Sequence, residues 1–139
     1  MTYLLDTNII SELVKVNPNK KVKTWIRNIP SNNLYLSVLT LGEIRKGLEG
    51  IKDYARKEKI RLWLEHDLPL WFNNRLVPID QKVVDKWGRL QGETNKPLPA
   101  IDSLLAATAF HFDFTLVTRN IADFQYPGLE VINPWEVVA

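Results

Sequence analysis

The chain has 139 residues, of which 45% are hydrophobic and 24% are charged, with a net charge of +2. This balance excludes a disordered chain and is typical of a protein that buries one core without disulfides. Cysteine is absent, which excludes thiolate metal sites and fits a reducing compartment. Asp6 interrupts the first apolar run, so no signal peptide is expected, and no run is long enough to cross a membrane. We expect one cytoplasmic domain over residues 1–139, without membrane contact.

Strand-like and helix-like patterns alternate along the chain. Short apolar runs predict strands at residues 3–5, 34–36, 76–79, 115–118 and 130–132. Amphipathic or charged patterns predict helices at residues 22–29, 38–50, 54–73, 81–94 and 100–112. Asn17 and Pro18 signal the start of the first helix, and Pro69 is expected to bend or end the third.

The buried faces of three helices follow from the spacing of their apolar residues. Helix 38–50 should bury the stripe Leu41, Ile44, Leu48 and Ile51. The inner side of helix 81–94 should be Val84, Trp87, Leu90 and Gln91. Helix 100–112 is apolar nearly all round, which predicts that it is buried.

Alternation of strands and helices predicts a parallel sheet covered on both faces. In such sheets ligands bind at the carboxyl ends of the strands. Asp6 lies at such an end, directly after the run Tyr3 to Leu5 in the segment LLDTN. An uncompensated carboxylate there is costly to desolvate, so it requires a helix N-terminus, a basic partner or a metal ion.

Three further acids are expected at the same edge. Glu43 lies on the helix after the second strand, Asp102 in the first turn of the helix after Pro99, and Asp123 just beyond the fourth strand. Grouped carboxylates repel one another, and a hard divalent cation relieves that repulsion. The pattern therefore indicates a site for magnesium or manganese.

Each of these acids also has a structural explanation. Asp102 suits the dipole at a helix N-terminus. Glu43 lies away from the apolar stripe of its helix, which is typical of a solvated glutamate. Asp123 fits an Asx turn. Asp6 has the fewest such explanations.

Five ordered motifs change the balance: LLDTN, SVLTLGEIRKGL, PAIDSLLAATA, LVTRNIADF and VINPW. Together they resemble the PIN-domain family, and more narrowly the VapC-type toxins of bacterial toxin–antitoxin modules. The resemblance covers nearly the whole chain, although residues 52–98 match only as helices and a strand. It implies a three-layer α/β/α fold with a central, mainly parallel sheet of about five strands.

The resemblance further implies a metal-dependent endoribonuclease. By similarity, Asp6 and Asp102 are direct Mg²⁺ ligands, with Mn²⁺ as a substitute. Glu43 completes the acidic pocket. Many relatives carry aspartate at the position of Asn120, which leaves open whether Asn120 or Asp123 is the fourth acid; we favour Asp123.

Several polar and basic residues gain roles by the same resemblance. Asn8, Thr118 and Asn120 are expected to orient carboxylates or the attacking water. Arg45 and Lys46 are the basic candidates nearest the acids for binding substrate. The substrate is expected to be a structured RNA such as tRNA, cut to a 5′-phosphate and a 3′-hydroxyl. The partners implied are a cognate antitoxin and a second copy in a homodimer.

Other catalysts are poorly supported by the sequence. His66 and His111 lie in helical contexts without a motif, so a paired-histidine nuclease is not expected. A haloacid-dehalogenase-like phosphatase would need an acid where Asn8 stands, and no Gly-rich phosphate loop is present. A PIN fold that binds RNA or protein without cleaving it stays open, because fold alone does not establish function.

Overall fold

The computed structural model describes residues 1–137, and its centre is a parallel sheet. The strands are β1 (Tyr3–Leu5), β2 (Leu34–Ser37), β3 (Leu76–Val77), β4 (Thr115–Val117) and β5 (Val131–Ile132). Over the described residues they form one five-stranded sheet in the order β3-β2-β1-β4-β5, with every neighbouring pair parallel. The first strand in sequence is thus the central one, flanked by β2 and β4.

Helices connect the strands. They are α1 (Thr7–Leu13), α2 (Lys20–Asn28), α3 (Val38–Glu49), α4 (Tyr54–Leu62), α5 (Leu68–Phe72), α6 (Gln81–Gly92) and α7 (Ala100–Phe112). A π-helical turn, Trp63–Asp67, joins α4 to α5, and 3₁₀ turns lie at Ser31–Asn33, Asn73–Arg75 and Ile121–Phe124. No helix among residues 1–137 is long and apolar enough to span a membrane.

Two hydrophobic clusters cover the two faces of the sheet. Leu4 and Leu116 point into one cluster, which they share with buried residues of α6 and α7. Leu5 and Val117, one residue further along the same strands, point into the other with residues of α1 to α5. This alternation is the period of a pleated strand. The predicted three-layer α/β/α fold with a parallel sheet of about five strands is confirmed.

Several element boundaries differ from the predictions for local reasons. The third strand ends at Val77 rather than at residue 79, since Pro78 has no N–H for a strand ladder. The helix predicted from residue 22 begins at Lys20, because the Asn19 side chain accepts the N–H groups of Lys21 and Val22. Asn19, rather than Asn17 or Pro18, is the cap.

The predicted helix 54–73 is one helical segment with a change of winding. Its π-helical turn precedes Pro69, whose missing N–H cannot complete the regular ladder. The segment ends at Phe72, where Asn73 adopts φ 43°. Pro69 therefore coincides with an altered winding, and the helix ends three residues later.

Two predicted helix faces need correction, and one is confirmed. On α6, Leu90 is buried and Trp87 packs against the first cluster as predicted, but Val83 is the fully buried valine, whereas Val84 is 46% exposed. Helix α7 is buried along its middle, but Ile101 and Phe112 near its ends are exposed. The stripe predicted for α3 packs into the second cluster as expected: Leu41, Ile44, Leu48 and Ile51.

Candidate active site

Asp6 follows the central strand and caps α1. Its Oδ1 atom accepts the N–H of Thr7 at 2.7 Å, so a helix N-terminus supplies part of the compensation that a buried carboxylate requires. The sequence patterns did not predict α1. The signal was present, since a capping residue followed by Ile9 and Ile10 is a helix start.

Two further side chains hold the other oxygen of Asp6. The Thr118 hydroxyl donates to Oδ2 at 2.8 Å, and the Asn8 amide donates to the same oxygen at 3.3 Å. The Asn8 amide also donates to the Thr118 hydroxyl at 3.2 Å, and Asn8 Oδ1 accepts the N–H of Arg119. The N–H of Asn120 donates to the Thr118 hydroxyl. Every side-chain polar atom of Thr118 and Asn8 is thereby used, which fixes the orientation of the carboxylate.

Asp6 is only 9% exposed, and its environment opposes ionisation. Burial raises the pKa of the Asp6 carboxyl above its ordinary value of 3.8, and the charges of Glu43 and Asp102 add to that rise. Hydrogen bonds from Thr118 and Thr7 lower it in part. A carboxylate has about four lone-pair positions, and the observed bonds occupy three. One position is left for a cation or a water molecule.

Glu43 is exposed, as the solvated-glutamate interpretation of α3 expects, but its carboxylate is held. Its Oε1 atom accepts the Thr7 hydroxyl at 2.6 Å, and that hydroxyl lies 3.0 Å from the hydroxyl of buried Thr40. Thr40 and Glu43 are three residues apart and so share a face of α3. Sequence reasoning missed Thr7 and Thr40, although this spacing was a usable signal.

Asp102 lies in the first turn of α7 but does not cap it, because no side chain caps this helix. Burial raises the pKa of the Asp102 carboxyl, and the charges of Asp123 and Glu43 raise it further. A carboxylate that served only the helix dipole would have its pKa lowered. Burial, and then the charge of Asp102, also raise the pKa of Tyr126, so Tyr126 lies near this acid, a neighbour that the sequence did not indicate.

Asp123 is exposed in the 3₁₀ turn Ile121–Phe124. No side chain caps this turn, so an Asx cap is not the role of Asp123. Asn120 is exposed as well, and only its backbone N–H joins the network around Thr118. Of the two, Asp123 is the one whose charge acts on Asp102.

The four acids share one edge of the sheet without forming a closed cage. The charges of Glu43 and Asp102 raise the pKa of Asp6, and those of Asp123 and Glu43 raise the pKa of Asp102. Among residues 1–137, however, no three such side chains lie close enough to hold one metal ion together. The donors are all carboxylate oxygens that repel one another. This set suits a hard cation that takes few protein ligands, as Mg²⁺ does.

The remaining candidates are placed less centrally. Arg45 is paired with Glu65 at 3.1 Å, so its charge is partly compensated. Lys46 is exposed on α3, one turn from Glu43. His66 and His111 are exposed and lie on segments that cover opposite faces of the sheet, so they do not form a pair.

Comparison with known proteins agrees with this geometry. The family model described as "PIN domain" matches residues 3–125. The chain is 36% identical over 136 residues to the plasmid stability protein StbB of Pseudomonas syringae pv. tomato, covering 96% of this chain and 98% of that protein. It is 34% identical over 136 residues to the VapC ribonuclease Y4jK of Sinorhizobium fredii, covering 96% and 97%.

Solved structures share the same architecture. FitAcB from Neisseria gonorrhoeae matches with a TM-score of 0.89 and 30% identity, over 98% of this chain and 100% of that chain. A toxin–antitoxin complex from Klebsiella pneumoniae matches with a TM-score of 0.67 and 28% identity, over 98% and 100%. The chain therefore belongs to the PIN domain family.

Proposed function

We propose that this chain is a Mg²⁺-dependent endoribonuclease that acts as the toxin of a toxin–antitoxin pair. The observation that carries the proposal is Asp6, buried at the end of the central strand and oriented by Thr118 and Asn8, with three more acids at the same edge. Membership of the PIN domain family and similarity to a protein named as a VapC ribonuclease support the same activity.

Asp6 and Asp102 are the residues that would hold the cation. Both have a raised carboxyl pKa, caused first by burial and then by neighbouring negative charge, and a cation would relieve both effects. Mg²⁺ typically binds through one or two carboxylates and keeps several waters, so a cage of three acids is not required. When bound, Mg²⁺ would place positive charge beside a scissile phosphate and lower the pKa of a bound water molecule. Mn²⁺ would substitute for it.

The chain's own residues would orient the reactants. Thr118 and Asn8 keep the Asp6 carboxylate in one rotamer, and Thr7 does the same for Glu43 at the exposed rim. Glu43 is thereby placed to accept a proton from an attacking water. Asp123 serves as the fourth acid, a role that Asn120 would fill less well because its side chain carries no charge.

The partners follow from the same proposal. Attack by water would leave a 5′-phosphate and a 3′-hydroxyl on an RNA substrate, which we expect to be structured, such as tRNA. The Klebsiella pneumoniae structure is titled a toxin–antitoxin complex, which supports a cognate antitoxin for this chain. A homodimer, a cytoplasmic location, and substrate contacts by Arg45 and Lys46 stay predictions.

Cleavage of total cellular RNA by the purified chain tests the activity. We expect discrete products with Mg²⁺ and none with EDTA, and we expect Asp6→Asn to be at least 100-fold slower. Asp113→Asn is the matched control, because Asp113 is an exposed aspartate at the C-terminal end of α7. This variant should cleave RNA like the wild type. Equal cleavage by Asp6→Asn and the wild type would contradict the proposal and indicate a contaminating nuclease.

Metal binding has a readout that does not depend on cleavage. Mg²⁺ should raise the Tm of the wild type, because a ligand that binds only the folded state stabilises it. Asp102→Asn should remove most of that shift, while Asp113→Asn should retain it. A folded wild type that shows neither a Mg²⁺ shift nor cleavage would favour a PIN fold that binds RNA or protein without cleaving it.

A further inference from the structure

The positive charge of the chain is concentrated in a segment that lacks acids. Residues 13–42 contain no Asp or Glu, but they include Lys15, Lys20, Lys21, Lys23 and Arg27. Lys15 is paired with buried Glu12 at 2.9 Å. The other four cations belong to α2, which carries no acidic residue.

The cations of α2 lie on its outer side. Lys20, Lys23 and Arg27 follow at i, i+3 and i+7, which aligns them in one stripe along the helix, and all three are exposed. Lys21 is exposed beside this stripe. The opposite side of the helix packs into the protein through Val22, Trp25 and Ile26. Lys20, Lys21, Lys23 and Arg27 are called the α2 basic face below.

A second basic cluster, which differs in its charge balance, consists of Lys52, Arg56, Lys57, Lys59 and Arg61. Between residues 49 and 67, acids are as numerous as bases. Lys57 pairs with Glu49, and Arg61 pairs with Glu58 and Glu65. Within residues 1–137, no residue of the α2 basic face has an ion pair. The second cluster is thus interspersed with acids, whereas α2 carries none.

The arrangement of α2 is unfavourable for an isolated helix. Lys20 and Lys21 occupy its first turn, where the helix dipole disfavours cations. Lys23 and Arg27 are like charges one turn apart, which also opposes the helix. Local rules are broken mainly at functional sites, and an anion on this face would relieve both effects.

The α2 basic face is connected to the acidic edge. Helix α1 begins at Asp6 and spans about 10 Å, and the N–H of Asn19, the cap of α2, donates to Glu12 near the end of α1 at 2.9 Å. Arg119, next to Thr118, is exposed with its guanidinium 5.1 Å from the Trp135 ring centroid. The pKa of Glu12 is lowered first by the hydrogen bond from Lys15, and the charge of Arg119 also contributes, so Arg119 lies near Glu12 as well as beside Thr118 in the chain.

We propose that the α2 basic face, continued by Arg119, docks the phosphate backbone of the RNA on its way to the acidic edge. This inference rests on the proposed ribonuclease function and names the surface that binds its substrate. Within α2 the exposed side presents no large hydrophobic residue, which favours a phosphate backbone over an acidic protein segment, since protein interfaces usually bury apolar anchors.

Binding of a fluorescein-labelled RNA hairpin, measured by anisotropy in EDTA, separates docking from cleavage. One variant carries Lys20→Gln, Lys23→Gln and Arg27→Gln. Its matched control carries Lys52→Gln, Arg56→Gln and Lys59→Gln, which removes three exposed charges from the second cluster, where acids are as numerous as bases. We expect the α2 variant to bind at least tenfold more weakly, and its slope of log K against log salt to fall by about 2, at about 0.7 per phosphate contact. The control should stay within twofold of the wild type.

Equal losses of RNA affinity in both variants would overturn the proposal, because RNA binding would then depend on the net charge of the protein and not on the α2 basic face. So would wild-type affinity in the α2 variant, or no RNA binding by the wild type. Displacement of the RNA by poly-glutamate at equal charge concentration would indicate that the α2 basic face binds an acidic protein segment, and this result would also overturn the proposal. RNA cleavage with Mg²⁺ is measured in parallel: binding through α2 without cleavage would refute the proposed function alone, and cleavage with an unchanged KM in the α2 variant would refute the docking face alone.

Discussion

Replacing Thr118 by valine removes one hydroxyl and keeps the shape of the side chain. That hydroxyl is fully buried, donates to the Asp6 carboxylate at 2.8 Å, and accepts hydrogen bonds from Asn8 and Asn120. A hydrogen bond to a charged group contributes about 1.5–3 kcal/mol. Asn8 keeps its hydrogen bond to Asp6, and Asn120 is exposed. We therefore expect Thr118→Val to lower the free energy of unfolding by about 2 kcal/mol, which is about 7 °C in Tm for a chain of this length.

The loss should depend on pH with a defined sign. The Thr118 hydrogen bond lowers the pKa of Asp6, so its removal raises that pKa further above 3.8. The full loss is present at pH values above the Asp6 pKa of the variant, where Asp6 is ionised in both proteins. It shrinks as the pH falls through that pKa, because a protonated carboxyl needs the hydroxyl less. Urea denaturation followed by circular dichroism, from pH 8 to pH 4, measures the difference.

Thr108→Val is the matched control. Thr108 is also fully buried, and its hydroxyl donates to the Leu104 carbonyl at 2.8 Å, remote from any carboxylate. We expect a loss below about 1 kcal/mol that does not vary with pH. If both variants lose the same free energy at every pH, the Thr118 hydroxyl does not stabilise an ionised Asp6, and the argument for a positioned carboxylate is wrong.

Two further changes test the fold. Glu12→Gln should cost about 1–2 kcal/mol near neutral pH, since hydrogen bonds from Lys15 and from the N–H of Asn19 hold the Glu12 pKa below its ordinary 4.5. This contribution is present above about pH 4.5 and lost as the pH falls through the lowered pKa, so the variant and wild type should converge in urea titrations near pH 3. Phe72→Ala should lower the free energy of unfolding by about 3–5 kcal/mol, because Phe72 is fully buried. Leu70 is 79% exposed, so in thermal melts Leu70→Ala should change that free energy by no more than about 0.5 kcal/mol. Similar losses for the two variants would contradict the burial assigned to this segment.

Much of the fold was readable from the sequence, because hydrophobic periodicity is local. The apolar runs marked the strands of the sheet, and their alternation with helices implied parallel pairing and helices on both faces. Parallel pairing also implied that acids after different strands would meet at one edge, and there the charges of Glu43 and Asp102 do raise the pKa of Asp6. The misplaced boundaries and the choice of Val84 for Val83 are shifts of one or two residues, which periodicity does not resolve, whereas helix α1 was missed altogether.

The tertiary structure alone decided how those acids are held. Thr118 reaches Asp6 across 112 residues because β4 lies beside β1, and strand order depends on the packing of the whole chain and not on any local pattern. The contact of Thr7 with Glu43 likewise needs α1 and α3 on the same face. Lys57 reaches Glu49 only because α4 packs beside α3, whereas the pairs of Arg61 with Glu58 and Glu65 lie within one helical segment and follow from sequence spacing.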